Sequence, residues 1–142
     1  MKNKKRLLVV LLSLLLALLL LLGALPFLLY GLIVTPRFKG DFSVEGYTAY
    51  IEEERYQSDL TYGKVENKTE VVKAAKKAFA DRFDDKDGLL SPRMYSIYHD
   101  KEADVWLVES HSALLLLPFA VGGGHYLLLN SDGTVLAIWG TK

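Results

Sequence analysis

Between residues 7 and 34 the sequence carries no charge, and only Ser13, Gly23, Pro26, Tyr30 and Gly31 break its run of Leu, Val, Ile, Ala and Phe. A spanning helix needs ~20 apolar residues, so this run is long enough to cross a bilayer even when tilted. A secretory signal usually has an apolar core of only ~7–15 residues followed by a small-x-small site. Here Leu22 stands two before Ala24, a poor match to that site. The reading is therefore a retained single-pass anchor over 7–34, with Pro26 as a kink or outer boundary. Lys2, Lys4, Lys5 and Arg6 precede the run, against Arg37 and Lys39 after it. The larger positive cluster predicts a cytoplasmic tail at 1–6 and an extracytoplasmic remainder in the cell membrane.

The remainder is a different object. Of the 17 basic residues 4 precede Arg37, leaving 13 against 17 acids, a charge of about −4. A mildly acidic domain argues against nucleic acid, whose phosphates require a concentrated basic face. The absence of cysteine removes disulfides, thiol catalysis and cysteine-ligated zinc.

Two hairpins are legible. Apolar runs at 125–129 and 134–139 flank Asn130-Ser131-Asp132-Gly133, and Asp-Gly between β-type runs marks a tight turn. Alternation at 94–99 and an apolar run at 105–109 are joined by a polar five-residue turn at 100–104. On the later strand Val105, Leu107 and Glu109 share one face, and Trp106, Val108 and Ser110 the other. Residues 67–83 predict an amphipathic helix. Asn67 caps it, Glu70 follows three residues later, and Val72, Ala75, Phe79 and Phe83 recur at helical spacing.

The fold class expected is α+β: an N-terminal transmembrane helix, then one amphipathic helix packed on a four-stranded antiparallel sheet over 62–142. The expected core is Val72, Ala75, Phe79, Phe83, Ile97, Trp106, Val108, Leu127, Leu129, Leu136 and Ile138. Residues 35–61, with Pro36, Gly40, Gly46 and an acidic Glu52-Glu53-Glu54, read as a juxtamembrane linker.

Chemistry-bearing motifs are weak. His99, His111 and His125 lie 12 and 14 residues apart, fitting no common zinc pattern. Ser110 and His111 are adjacent on a strand and point to opposite faces, which disfavours a nucleophile–base dyad. An aspartate-rich stretch at 84–88 fails as a calcium loop, because Phe83 and Met94 would occupy ligand positions. Gly122-Gly123-Gly124 lacks the spacing and lysine of a phosphate loop. No enzyme, metal site or cofactor is expected. The apolar stretch around Pro118 reads as a buried cross-over, a membrane-dipping loop or a docking patch. Leu114, Leu116, Pro118, Phe119, Glu109 and His111 are thus the candidate protein-partner contacts.

Three further pieces carry a family resemblance. They are Tyr62-Gly63-Lys64-Val65-Glu66-Asn67-Lys68 before the helix, Asp104-Val105-Trp106-Leu107-Val108 after a tyrosine-bearing strand, and Gly122-Gly123 before Asp132-Gly133-Thr134-Val135-Leu136 and Trp139-Gly140. Together they resemble the short bacterial nuclear-transport-factor-2-like fold immunity proteins over 62–142. That resemblance implies a non-enzymatic binding protein that neutralises a cognate toxin. A second resemblance, through the helix-then-strands order and the strand–Asp-Gly–strand ending, is to PepSY-type domains. It implies an extracytoplasmic module acting on a peptidase.

Overall fold

The computed structural model describes residues 2–84, 92–112 and 123–141, in two compact units divided between Ile33 and Val34. The first unit is α1 (Lys2–Val34), which continues through Pro26. Leucine is a strong helix former, and the window Arg6–Leu25 has a mean hydropathy of 3.1 with none of it buried against protein. The Ser13 hydroxyl, the one polar side chain in the apolar part of that window, donates to the carbonyls of Val9 (2.8 Å) and Val10 (3.0 Å). α1 is long and apolar enough to cross a membrane, a property that a signal sequence near the N-terminus shares.

In the second unit the described residues form a five-stranded mixed sheet, β1 (Arg37–Asp41), β2 (Arg93–Asp100), β3 (Val105–Ser112), β4 (His125–Asn130) and β5 (Val135–Gly140), in that spatial order. β2 to β5 are the expected antiparallel meander. The four-stranded sheet must be corrected: β1 adds a fifth strand, parallel to β2, with Arg37 opposite Ser96 and Phe38 opposite Ile97. A parallel neighbour requires a long crossover, and everything between β1 and β2 serves as one.

That crossover contains the amphipathic helix, α3 (Lys68–Phe83), preceded by the short α2 (Thr48–Glu52). The Asn67 side chain accepts from the amides of Thr69 and Glu70, and the Glu70 carboxylate accepts from the Glu66 amide at 2.7 Å. Free N-terminal amides are thereby satisfied on both sides of the cap. α3 lays Val71, Val72, Ala75, Ala78 and Phe79 on Tyr95, Ile97, Trp106, Val108, Leu127, Leu129, Val135 and Ile138. Phe83 is packed at the margin of this cluster.

Leu136 does not join that core. The register slips between Leu128 and Leu129, so Leu129 faces Val135 and Leu128 faces Ala137. One extra residue on β5 turns Leu136 to the other side of the sheet, where it packs with Ala137 and Trp139. β5 is an outer strand of the sheet, with Val135 and Ile138 covered by α3. Its edge is occupied by a bridge from Thr61 to Thr134 and by hydrogen bonds pairing Tyr62 with Gly133 and Leu60 with Val135. At Gly133 (φ 88°) the Gly63 carbonyl oxygen lies 2.0 Å from where a Cβ would stand, so both the turn and this contact require glycine.

The second face of the sheet is apolar too, and residues 37–56 cover it. Phe42, Val44, Tyr47, Tyr50, Ile51 and Tyr56 pack on Val105, Leu107, Leu128, Ala137 and Trp139. The stretch expected to be a linker is therefore a strand and a covering layer, because Val105, Leu107, Leu128 and Trp139 would otherwise face water. Trp139 stacks on Tyr50 (4.4 Å between centroids, 22°) and on Tyr126 (5.3 Å, 7°). Asp100 pins the layer: its carboxylate accepts from the Val44 amide at 2.8 Å and from the Glu102 and Ala103 amides at 3.1 Å.

Two outcomes test this layer. Tyr50→Ala removes an aromatic pair and its buried area, and is expected to cost about 2 kcal/mol in denaturant unfolding while speeding tryptic cleavage at Arg55. A linker would show neither effect. The amides around Asp100, Val44 first, hold its carboxyl below the usual 3.8, so its contribution is fully present above that value and lost as pH falls below it through the lowered folded-state pKa. Asp100→Asn should lower the thermal midpoint at neutral pH and flatten the acid limb below about pH 4.

Candidate functional site

Of the residues expected to contact a partner, Glu109 and His111 are described. Leu114, Leu116, Pro118 and Phe119 lie outside the described residues. Alternation along β3 puts Glu109 on the second face, opposite Tyr126 on β4 and beside Ser96 on β2. Its carboxylate accepts from the Tyr98 hydroxyl at 3.2 Å, and His111 Nε2 stands 3.9 Å away. The His111 ring meets Tyr126 edge-on, 5.9 Å between centroids. Burial, then the Glu109 charge, raises the Tyr47 and Tyr98 phenols, so both stay protonated and Tyr98 remains a donor. The group is a half-exposed carboxylate ringed by tyrosines. Tyrosine is among the side chains that commonly anchor protein interfaces.

The three histidines are dispersed. His99 stacks on Trp106 (3.8 Å, 10°), and His125 stacks on Phe83 (4.1 Å, 17°). His99 Nε2 is buried without a hydrogen bond, and its 3.5 Å approach to the Asp104 carboxylate is an ion pair only when the ring is protonated. Ser110 is fully buried on the α3 side, its Oγ without a hydrogen-bond partner, away from the half-exposed His111. Among the described residues no cluster of three His, Asp or Glu side chains could hold a metal ion.

Sequence reasoning missed a grouping that the topology creates. The β2–β3 turn, the β4–β5 turn and the end of β1 lie at one end of the sheet, bringing Asp41, Asp100, Glu102, Asp104 and Asp132 to it. Ser131 ties the two turns together, its amide donating to the Asp104 carbonyl and its hydroxyl to the Asp104 carboxylate. It also accepts from the Trp106 indole at 3.3 Å. A cavity of about 360 Å³ opens there, lined by Asp41, Phe42, Ser43, Asp100, Lys101 and Glu102. Lys101 pairs with Asp41 at 3.0 Å, while Glu102, Asp104 and Asp132 are exposed. Thr134, through its side chain and then its amide, holds the Asp132 carboxyl below its usual range. The signal was present in the two hairpin turns. Counting antiparallel strands puts both turns at the same end.

A smaller cavity of about 180 Å³ sits on the α3 side among Tyr62, Lys64, Val65, Glu70, Lys73, Ala74 and Lys77. Beside it the Tyr62 hydroxyl donates to Asp81 at 2.9 Å; burial first, and then this hydrogen bond, raises the phenol.

The described chain is thus an apolar helix followed by an α+β domain with a five-stranded mixed sheet, both faces of which are covered. Compared with family models, curated proteins and solved structures, the chain has no match.

The hydrogen bond at the centre of the tyrosine group sets an expectation. Tyr98→Phe should cost about 1 kcal/mol in urea unfolding, and much less when Glu109 is already Gln, a coupling read from a double-mutant cycle.

Proposed function

We propose that this chain is a single-pass membrane protein that displays a small protein-binding domain on the extracytoplasmic side. One observation carries the proposal. Only Thr35 and Pro36 separate α1 from β1, which is a strand of the domain's own sheet, and residues 42–56 pack on its core. The connection between the helix and the folded domain is therefore two residues long. That arrangement suits a module whose task is to meet a partner at the membrane surface.

The contact surface in this reading is the acidic end of the sheet, with Glu102, Asp104 and Asp132 exposed. Its negative potential favours a basic partner and speeds its association. The partner class comes from resemblance. An immunity-type role gives one tight, specific toxin; the PepSY-type role gives an extracytoplasmic peptidase whose proteolysis changes.

The test is affinity capture of the tagged full-length protein from its native membrane, with co-purifying proteins identified by mass spectrometry. One stoichiometric partner is expected, lost at high salt and lost on Glu102→Lys with Asp132→Lys. A toxin-like partner supports the first role and a peptidase the second. Recovery of nothing reproducible overturns the binding reading.

A further inference from the structure

Two carboxylates at the aromatic layer differ in what answers their charge. Glu53 meets the Arg55 guanidinium twice, at 2.8 Å from Nε and 3.2 Å from a terminal nitrogen. The same guanidinium lies over the Tyr56 ring, 4.5 Å from its centroid. A planar cation with a fork of donors is thus held by a carboxylate and the face of a phenol, the two partners that suit it. From Tyr56 the rings continue in contact through Tyr50 and Trp139 to Tyr126, at 5.1, 4.4 and 5.3 Å between centroids. At the far end of that row Tyr126 stands directly across from Glu109.

Glu109 repeats the arrangement without the cation. Its carboxylate accepts from the Tyr98 hydroxyl at 3.2 Å, and among the described residues no lysine or arginine pairs with it. His111 Nε2, 3.9 Å away, carries charge only when protonated. The Glu109 side chain is 22% exposed, against 48% for Glu53, so water screens its charge less without closing it off. Tyr47 and Tyr98 beside it stay protonated, which leaves one unanswered negative charge wherever His111 is neutral. We propose that Glu109, with the Tyr98 hydroxyl and the Tyr126 ring, is a binding site for a guanidinium group. An ammonium would answer the charge but not the flat ring and the paired carboxylate oxygens. A small guanidino compound and the arginine side chain of a peptide present the same chemistry to it. Glu109 lies four residues along β3 from Val105, about 13 Å from the acidic turns, so the inference does not rest on the partner surface proposed there.

The test is an amide-resolved magnetic resonance titration of the isotope-labelled full-length protein in maltoside micelles. Ethylguanidinium, n-butylammonium and tetramethylammonium chlorides are added in separate series, with ionic strength held constant by sodium chloride. Ethylguanidinium should shift the amides of Tyr98, Glu109 and Tyr126 saturably, with a Kd of about 1–10 mM. It should bind at least about threefold more tightly than n-butylammonium, with tetramethylammonium giving no saturable shift. Glu109→Gln should weaken ethylguanidinium binding at least about tenfold. A second arm uses an acetylated, amidated glycine–arginine–glycine peptide. Tighter binding of the peptide than of ethylguanidinium supports the site as a receptor for an arginine side chain; equal or weaker binding supports it as a site for a small guanidino compound. Shifts that do not saturate, n-butylammonium binding as tightly, or unchanged affinity in Glu109→Gln would overturn the inference. Glu109 would then be satisfied by Tyr98 and water alone. The selectivity among cations is read on the unaltered chain, so the test stands even where Glu109→Gln fails to fold.

Discussion

Everything in the domain depends on covering both faces of one small sheet. β3 and β4 alternate apolar side chains to each side, with Val108, Leu127 and Leu129 toward α3 and Leu107 and Leu128 away from it. A single helix hides one side only. Exposing the other would leave Leu107, Leu128, Ala137 and Trp139 in water, each large side chain forgoing roughly 1.5–3 kcal/mol of burial. The second layer is therefore a condition of folding rather than an ornament. It is built from the residues that follow α1. Aromatic rings supply most of its area, and Asp100 fixes its path through a backbone amide.

The same segment settles the problem of the sheet's edges. β1 is only five residues long, carries Lys39 and is bulged at Gly40, where φ reaches 126°. Short, charged and bent edges are poor templates for further strands. At the opposite edge the backbone from Leu60 to Tyr62 pairs with the end of the β4–β5 turn and the start of β5. The crossover between β1 and β2 thus closes the far side of the sheet while passing from one face to the other.

The helix and both hairpins were legible because their signals are local. Asn67 and Glu70 announce a helix start, and Asp132-Gly133 announces a turn. The β3 face assignment also held, since alternation is a property of every strand. What was hidden lay beyond local signals. β1 reads RFKGD, without an apolar alternation, and forms because β2 offers it an edge. Tyr47, Tyr50 and Ile51 stand at the spacing of a short helix, but Phe42, Val44 and Tyr56 follow no period, and their order makes sense only against a sheet already in place. The bulge that turns Leu136 leaves no trace in the sequence. The grouping of Glu109 with Tyr98 depends on strand register, and the acidic sheet end depends on counting strands.

The parallel pairing of β1 has a mechanical meaning. The strand is joined to α1 at its first residue and runs away from that junction alongside β2. Were the acidic end of the sheet pulled against α1, the force would run along β1. Its hydrogen bonds to β2 are then loaded together, in shear, instead of being unzipped singly from one end. A hairpin edge attached the other way round would peel. β1 thus follows α1 in the direction that best resists tension, and a pull between the helix and the far end of the sheet would not draw out the strand that completes the fold.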